Sequence, residues 1–157
     1  MQNSYSIRSL DSQKIPQAFT VIHWVYPEMN CDTWAQFARE RVCQEGVEPA
    51  EHGILTVENS QGSIQGLFCY HVSSVSPRGR TLLCEDFVVL DLLGLEEPLK
   101  VLLDGAESYA QRFECRLLSL SLPSVSTAPA SGGSRLHATM EARGYAPDGE
   151  RFVKLLD

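Results

Sequence analysis

The sequence is short of basic residues and of long apolar runs. Of its 157 residues, 13 are Lys or Arg and 20 are Asp or Glu, which gives a formal net charge of −7. Because few cations are available to offset phosphate charge, this balance argues against binding to nucleic acid or to an anionic membrane. The most apolar stretch, Phe87 to Leu95, is broken by Asp91 and Gly94 and is far too short to span a bilayer. We therefore expect neither a nucleic-acid partner nor a membrane partner.

Several motifs that carry chemistry are also absent. The segment Met1 to Ser6 has neither a basic region nor an apolar core, so no secretory signal is expected. The sequence contains no H-E-x-x-H, G-x-S-x-G, P-loop or G-x-G-x-x-G motif. The four histidines lack metal-ligand spacing and lie at His23, His52, His71 and His137. We expect a cytoplasmic protein without a metal cofactor.

The cysteines form neither a disulfide pattern nor a zinc pattern. They are odd in number, include no C-x-x-C pair, and lie at Cys31, Cys43, Cys69, Cys84 and Cys115. Such scattered cysteines are typical of reduced thiols in a cytosolic protein, several of them buried. The alternative is a reactive thiol, which needs an electropositive pocket. At Cys84 the neighbouring Glu85 and Asp86 argue against one.

What is present is the patterning of one α/β domain over residues 1–157. Apolar residues make up 43% and charged residues 21%, as in a globular domain. Alternating or continuous apolar runs predict strands at Ser6–Leu10, Ile54–Glu58, Ser63–Val72, Arg80–Leu90, Arg116–Leu122 and Glu150–Leu156. The apolar end of Arg80–Leu90 suits the centre of a sheet.

Helices are predicted between these strands. The first is capped at Asp11–Ser12 and ends at Tyr26, before Pro27, and the second starts near Asn30. The apolar spacing from Leu99 to Phe113 marks the clearest amphipathic helix. Residues 123–133 are expected to be a loop, and 134–143 a short helix. The order β-α-α-β-β-β-α-β-α-β predicts a mixed, largely antiparallel sheet flanked by helices.

Three segments in this order resemble the GNAT superfamily of acyl-CoA-dependent N-acetyltransferases. Residues 53–68 resemble its "lvae…g.ivG" hairpin, and Cys84-Glu85-Asp86-Phe87-Val88-Val89 its "yveDlvV" strand. Residues 140–145, followed by 151–154, resemble its "YekhGF" segment and last strand. The resemblance covers nearly the whole chain and implies the GNAT fold. Because fold does not determine function, each site is considered separately.

The resemblance implies a site for acetyl-CoA or another acyl-CoA. In the family the pantetheine arm pairs like an extra strand with the end of the fourth strand, here Phe87, Val88 and Val89. The pyrophosphate binds at the start of the next helix, where free N–H groups and the positive dipole end meet the anion. The family's loop, Q/R-x-x-G-x-G/A, aligns with residues 94–99. Its candidate cofactor-binding residues are Gly94, Leu95, Glu96, Glu97 and Leu99.

This loop departs from the family pattern. Gly94 takes the Arg/Gln position, and Glu97 and Leu99 take the two glycine positions. Pro98 has no N–H to donate, and Glu96 and Glu97 would repel a pyrophosphate. The same residues are well chosen for starting a helix, since acidic side chains and proline favour a first turn. The loop therefore argues against the acetyl-CoA binding that the resemblance implies.

The catalytic candidates are Glu85, Asp86 and His137. In the family a carboxylate on the fourth strand can act as base towards the amine, directly or through water. Because neighbours on a strand point to opposite faces, we expect only one of Glu85 and Asp86 to face a cleft. The family's general-acid Tyr aligns with Met140, which has no proton to give. His137 lies one turn earlier and could replace that Tyr, although a surface or packing role is the interpretation we favour.

The aromatic residues of the first two helices and the segment 132–134 are two further candidate binding sites. The resemblance places the first two helices, with His23, Trp24, Tyr26 and Trp34, on the acceptor side. These aromatic residues could bind a cation or a flat ligand, but core packing or a dimer contact is the interpretation we favour. Residues 132–134 could form an anion nest, although a flexible link is the more common use of such a segment.

Two functions remain open from the sequence. The first is an N-acetyltransferase that moves an acyl group from acyl-CoA to a small-molecule amine, with Glu85 or Asp86 as base. The second is a pseudoenzyme, a GNAT-fold module that binds a small molecule or a protein. The altered loop and the missing Tyr favour the second, and the resemblance favours the first. Short strand edges and exposed aromatic helices also suggest a homodimer.

Overall fold

The seven strands found in the described part of the chain belong to one sheet. The computed structural model describes residues 5–42, 51–74, 77–90, 97–121, 138–148 and 151–156. The strands are β1 Ser6–Ser9, β2 His52–Glu58, β3 Ile64–Ser73, β4 Thr81–Val89, β5 Leu117–Ser121, β6 Ala146–Asp148 and β7 Arg151–Leu155. Their spatial order is β1-β2-β3-β4-β5-β7-β6. Neighbouring strands are antiparallel except for β4 and β5, which are parallel.

Helices cover both faces of this sheet. They are α1 Ile15–Val25, α2 Cys31–Arg41, α3 Glu97–Arg112 and the helical residues 138–142, here α4. A short 3-10 helix, Ser12–Lys14, leads into α1. The prediction of a mixed, largely antiparallel sheet flanked by helices is confirmed.

The helix ends follow local chemistry. The Asp11 carboxylate accepts a hydrogen bond from the N–H of Gln13, which starts the 3-10 turn. The Asn30 side chain accepts from the N–H of Thr33 at 2.7 Å and starts α2. Tyr26 follows the last residue of α1, as the proline after it predicts. The Asp11 cap thus precedes α1, and the Asn30 cap ends the turn between α1 and α2.

Each face of the sheet has its own apolar core. On one face of the sheet, Leu102, Leu103 and Ala106 of α3 pack with strand residues such as Phe68 and Phe87. Under α1 and α2 lies a second cluster, which includes Leu10, Ile15, Ile22, Trp34, Ala38, Leu67, Cys69 and Val88. The side chains of Leu67 and Phe68, adjacent on β3, therefore belong to different cores, as the pleat of a strand requires.

β4 extends beyond the end of its pairing with β5. The two strands pair from Thr81 with Leu117 to Cys84 with Leu120. β4 then continues from Glu85 to Val89, where its described neighbour is β3 alone. Within the described ranges, this leaves one backbone edge of β4 unpaired at the centre of the sheet.

One strand of the sheet was missed by the sequence analysis. β6 pairs with β7 through Ala146–Val153, Pro147–Phe152 and Asp148–Arg151. It has three residues, all exposed, and includes a proline. Such a strand has no apolar alternation to reveal it, and proline is tolerated there because β6 is an edge strand.

The prediction that several of the cysteines are buried is confirmed for the described residues. Cys69, Cys84 and Cys115 are buried and Cys31 is exposed, all without a disulfide. Among the described helices, none combines the length and the apolarity needed to cross a membrane. The described His, Cys, Asp and Glu residues form no group of three that could hold a metal ion.

Several sequence-based predictions lie outside the described residues. These are His137, Gly94, Leu95, Glu96, the loop 123–133, the segment 132–134 and Cys43.

Candidate functional site

A β-bulge in the middle of β4 brings two carboxylates to one face of the sheet. Leu67 pairs with Val88 and Cys69 pairs with Glu85, so Phe68 lies opposite two residues, Asp86 and Phe87. Asp86 has a φ of 55°, in the left-handed region that Asp tolerates better than most residues. The extra residue breaks the alternation of side chains along the strand.

The expectation that only one of Glu85 and Asp86 would face a cleft is wrong. Cys84 and Phe87 both point into the core under α3, and the two residues between them line the same cleft on the opposite face. Without the bulge, Asp86 would share the face of Cys84, because side chains repeat every two residues. The bulge therefore doubles the negative charge at this point.

The cleft encloses about 580 Å³ beside α2. Its lining consists of Phe37, Glu40 and Arg41 from α2, His52 from β2, Cys69, Tyr70 and His71 from β3, and Glu85 and Asp86 from β4. Cys69 and Tyr70 are buried, Glu85 and Asp86 are half-buried, and Glu40, His52 and His71 are exposed. Polar side chains therefore line the cleft at both its exposed and its half-buried positions.

Glu85 is held by an arginine from the last strand. Arg151 Nη1 donates to both carboxylate oxygens of Glu85, at 3.1 and 3.3 Å. Its Nε donates to the Ser119 hydroxyl at 2.5 Å, and its Nη2 to the Ser119 carbonyl at 3.2 Å. The guanidinium thus bridges β5 and β4 just where the two strands part. The ion pair fixes the direction in which Glu85 points and offsets its charge.

Asp86 is held by the tyrosine at the end of α1. The Tyr26 hydroxyl donates to Asp86 Oδ1 at 2.6 Å. Burial raises the pKa of Tyr26, and the hydrogen bond to Asp86 and the charge of that carboxylate raise it further. The phenol therefore stays protonated and serves as a donor to Asp86.

The buried thiol in the cleft lining, Cys69, stays protonated at neutral pH. Burial raises the pKa of Cys69 to about 12, and the negative charge of Asp86 adds to the shift. The pKa of Cys84 is also raised, chiefly by burial rather than by the adjacent carboxylates. Because the thiolate is the nucleophilic form, neither residue is suited to covalent catalysis.

The α2 wall of the cleft is built on a stacked series of side chains. Trp34 is buried and donates its ring N–H to the Ile15 carbonyl at 2.9 Å. Phe37 stacks on Trp34, and the Arg41 guanidinium carbon lies 3.7 Å from the centroid of the Phe37 ring. Arg41 also donates to the Phe37 carbonyl. The one arginine in the described lining thus lies on this wall, and its positive charge acts on the cleft, where it opposes the rise in the pKa of Cys69.

The aromatic residues of the first two helices do not form one set. Trp34 is core, whereas Trp24 is 62% exposed. His23 lies against Phe19 on α1. Tyr26 is the member that reaches the cleft carboxylates.

The other candidate residues have separate positions. Phe87 and Val88 are buried on opposite faces of β4, and Val89 is half-buried beside the unpaired edge. At the start of α3, Glu97 is exposed, and Leu99 packs into the core.

Met140, which aligns with the family's general-acid Tyr, lies in the core, and so does the nearby Tyr145. Met140 is fully buried, and Tyr145 is 3% exposed, with its hydroxyl donating to Glu107 at 2.8 Å. No proton donor comes from either residue in this arrangement.

Several cleft residues were missed from the sequence. Glu40, Arg41, His52 and His71 line the cleft, and Arg151 pairs with Glu85. These five residues lie on four different elements. Their meeting depends on strand register and on where α2 docks, which local patterns do not reveal. One partial signal was available, since Asp86 belongs to a residue type that tolerates a positive φ.

The fold was compared with known proteins. The sequence matches neither a protein-family model nor a curated protein. Solved structures do match. A GCN5-related glucosamine N-acetyltransferase region of a fungal multi-domain beta-N-acetylglucosaminidase matches with a TM-score of 0.69 at 11% identity. The match covers 95% of this chain and 18% of that much longer one.

Two further structures match over most of both chains. The aminoglycoside antibiotic 6'-N-acetyltransferase of Acinetobacter baumannii has a TM-score of 0.66 at 15% identity, over 91% of each chain. The paia N-acetyltransferase of Thermoplasma acidophilum, solved with coenzyme A, has a TM-score of 0.60 at 12% identity. That match covers 98% of this chain and 99% of the other.

The chain has the GNAT fold. This confirms the fold implied by the three sequence segments. At these identities the likeness establishes the GNAT fold alone, so the chemistry has to be argued from the cleft and from the β4 edge.

Proposed function

We propose that this chain is an acyl-CoA-dependent N-acyltransferase that acts on an amine bound in the cleft. The observation that supports this best is the β4 bulge. It sets Glu85 and Asp86 side by side in the cleft, next to a strand edge that β5 leaves unpaired. An amine-binding cleft and an edge for an extended ligand thus meet at one point of the sheet.

The unpaired edge fits the amide-rich arm of an acyl-CoA. Backbone N–H and C=O groups along Glu85 to Val89 have no β5 partner among the described residues. An extended ligand with amide groups can pair with such an edge as an added strand. When bound, the acyl-CoA would supply a thioester carbon for attack and a thiol as leaving group. Val88 and Val89 are the residues we expect to hold its arm.

Asp86 is the better base of the two carboxylates. Arg151 donates to both oxygens of Glu85, whereas the one described donor to Asp86 is Tyr26, at Oδ1. A carboxylate has about four lone-pair positions, so Asp86 can still accept from an ammonium group. Asp86 would take one proton from the ammonium and leave the nitrogen lone pair free to attack. As the amide forms, the nitrogen would lose its second proton to water, and water or His137 would give one proton to the departing thiolate, so that one proton is released overall.

The start of α3 favours a second candidate, a GNAT-fold binding module without acyl transfer. Glu97 places a carboxylate at this helix end, and Pro98 contributes no N–H. Both features suit a helix start and oppose a pyrophosphate. In this second function the cleft would bind its amine, and no acyl group would move.

Activity measurements with substituted carboxylates test the proposal. Purified protein is mixed with acetyl-CoA and a panel of primary amines, and free CoA thiol is followed. We expect Asp86→Asn to lower kcat/KM by about 100-fold or more, as loss of a general base does. Glu85→Gln should cost less, since Glu85 is already paired with Arg151. Asn also tolerates the positive φ at position 86, so the variant should fold.

The matched control is Glu114→Gln. Glu114 is exposed, follows the end of α3 and does not line the cleft, so this variant should retain wild-type activity. Thiol release that is equal in wild type and Asp86→Asn would refute the assigned base. Absence of release with every amine, together with amine binding, would favour the binding module.

A further inference from the structure

One guanidinium spans the point at which β4 and β5 part. The backbone of Arg151 pairs with Ser121 at the end of the β5–β7 ladder, and its side chain reaches back along β5 to Ser119. From there it crosses to β4, where it contacts the Glu85 carboxylate and the Cys84 carbonyl oxygen. Cys84 takes part in the last described pair between β4 and β5. The side chain therefore ties three strands together at the last step of this ladder.

Each N–H group of this guanidinium has an acceptor on β4 or β5. On β5, Nε donates to the Ser119 hydroxyl at 2.5 Å and Nη2 to the Ser119 carbonyl at 3.2 Å. On β4, Nη1 donates to the two Glu85 carboxylate oxygens at 3.1 and 3.3 Å, and Nη2 also donates to the Cys84 carbonyl at 3.5 Å. An arginine carries about five such donors in a fixed planar fork. These contacts of Arg151 form a brace between β4 and β5, and they use the donors that a ligand would otherwise meet.

The brace is anchored in a buried polar group on β5. Ser119 is 4% exposed, and its neighbours Leu118 and Leu120 point into the core on the other face of the sheet. Beyond Cys84, the described neighbour of β4 is β3 alone. A planar fork that is bound on both strands keeps those strands at one separation. The brace therefore sets where the unpaired edge of β4 lies relative to β5.

We propose that Arg151 is a positioning residue that braces β4 against β5 and thereby fixes the opening into which the arm of an acyl-CoA enters. It acts through the backbone edge of β4 and does not touch the ligand. The part of this statement that concerns acyl-CoA rests on the proposed function. The part that concerns the two strands does not, because their opening can be measured in the free protein.

Arg151→Lys separates the brace from the charge. Lysine can pair with Glu85, but its ammonium is a point charge and cannot reproduce a fork that reaches acceptors on two strands. We therefore expect Arg151→Lys to behave like Arg151→Met. Glu85→Gln is the opposite case, since it removes the charge pair and leaves the contacts with Ser119 in place. Arg112→Lys is the matched control, because Arg112 is exposed at the end of α3.

Amide hydrogen exchange of the free protein tests the brace without a ligand. In both Arg151 variants, exchange in the β4–β5 ladder, Leu82–Cys84 with Leu118–Leu120, should be about 10-fold or more faster than in wild type, because local opening becomes easier. Exchange in the β2–β3 ladder should stay within about twofold, as should both ladders in Glu85→Gln and Arg112→Lys. Equal acceleration of both ladders in the Arg151 variants, or no acceleration, would overturn the inference.

Calorimetric titration of the same proteins with acetyl-CoA tests the consequence for the ligand. Both Arg151 variants should bind acetyl-CoA about 10-fold or more weakly than wild type, and Glu85→Gln within about threefold of it, since a preorganised edge is what the brace provides. Wild-type affinity in Arg151→Lys would show that charge alone matters and would overturn the inference.

Failure of this inference and failure of the proposed function give different results. Wild-type protein that binds no acetyl-CoA, with faster exchange confined to the β4–β5 ladder in the Arg151 variants, would contradict the proposed function and support the brace. Acetyl-CoA binding that is equal in wild type and in both Arg151 variants would support the proposed function and overturn the positioning role of Arg151.

Discussion

Single side chains from distant elements hold the two carboxylates of the cleft. Tyr26 comes from the end of α1 and Arg151 from β7, 60 and 66 residues from the carboxylates that they contact. Glu85 and Asp86 could be selected from sequence as candidate bases. Their partners could not, because these contacts arise from tertiary packing.

The ionisation of Tyr145 should affect how the free energy of unfolding depends on pH. Burial and the charge of Glu107 raise its pKa, so the folded protein keeps this phenol protonated when the unfolded chain ionises it, near pH 10. The unfolded state then binds fewer protons, and stability falls as pH rises above about 10. The stabilising contribution is fully present below that pH.

Tyr145→Phe removes this dependence. At pH 7 the variant should lose about 1–2 kcal/mol from the hydrogen bond to Glu107, which keeps Arg143 and Lys154 as ionic partners. Urea unfolding at pH 8 to 11 measures the difference in the free energy of unfolding between wild type and variant. This difference should shrink by roughly 1.4 kcal/mol by pH 11. A difference that stays constant over this range would contradict the assignment.

At the scale of elements, β4 determines the character of the site. Its apolar end predicted a central strand, and β4 does lie between β3 and β5. The alternation rule failed at Asp86, because that rule assumes continuous pairing and a bulge inserts one unpaired residue. Gly66 of β3 pairs with Val89 at the C-terminal end of β4, and it shows how closely β3 and β4 approach each other there.

Gly66 is the position where this close approach can be tested. A Cβ at Gly66 would lie 2.6 Å from the Val88 carbonyl oxygen and 3.2 Å from the Val89 Cα. Because both atoms are backbone, Gly66→Ala must shift β4 and should destabilise the protein by about 1–3 kcal/mol. Denaturant unfolding measures the loss, and the shift should also reduce acetyl-CoA binding at the neighbouring edge.

Gly105→Ala is the control for this prediction. Its Cβ would also meet close neighbours, at 2.8 Å and beyond, but these are the flexible end of the Ile7 side chain. Alanine moreover favours the helix by about 1 kcal/mol, so the net change should be small. Equal destabilisation by the two substitutions would mean that close backbone approach at β4 is not the cause.

For the whole molecule, the order of elements was largely readable from sequence. The spacing of Leu99, Leu102, Leu103 and Ala106 predicted α3, and those side chains are buried. The strands were found by alternation, except β6, which is short and exposed. The cleft was not readable, because it combines α2 with three strands whose register is a property of the assembled sheet.

In the proposed function, the β4 edge and the cleft together form a site for an acyl-CoA and an amine. Calorimetric titration of the purified protein with acetyl-CoA, with CoA and dephospho-CoA alongside, tests it most directly. We predict micromolar binding of acetyl-CoA despite Glu97 and Pro98 at the start of α3. No binding at millimolar acetyl-CoA would contradict the account and leave the cleft as the site of a non-catalytic module.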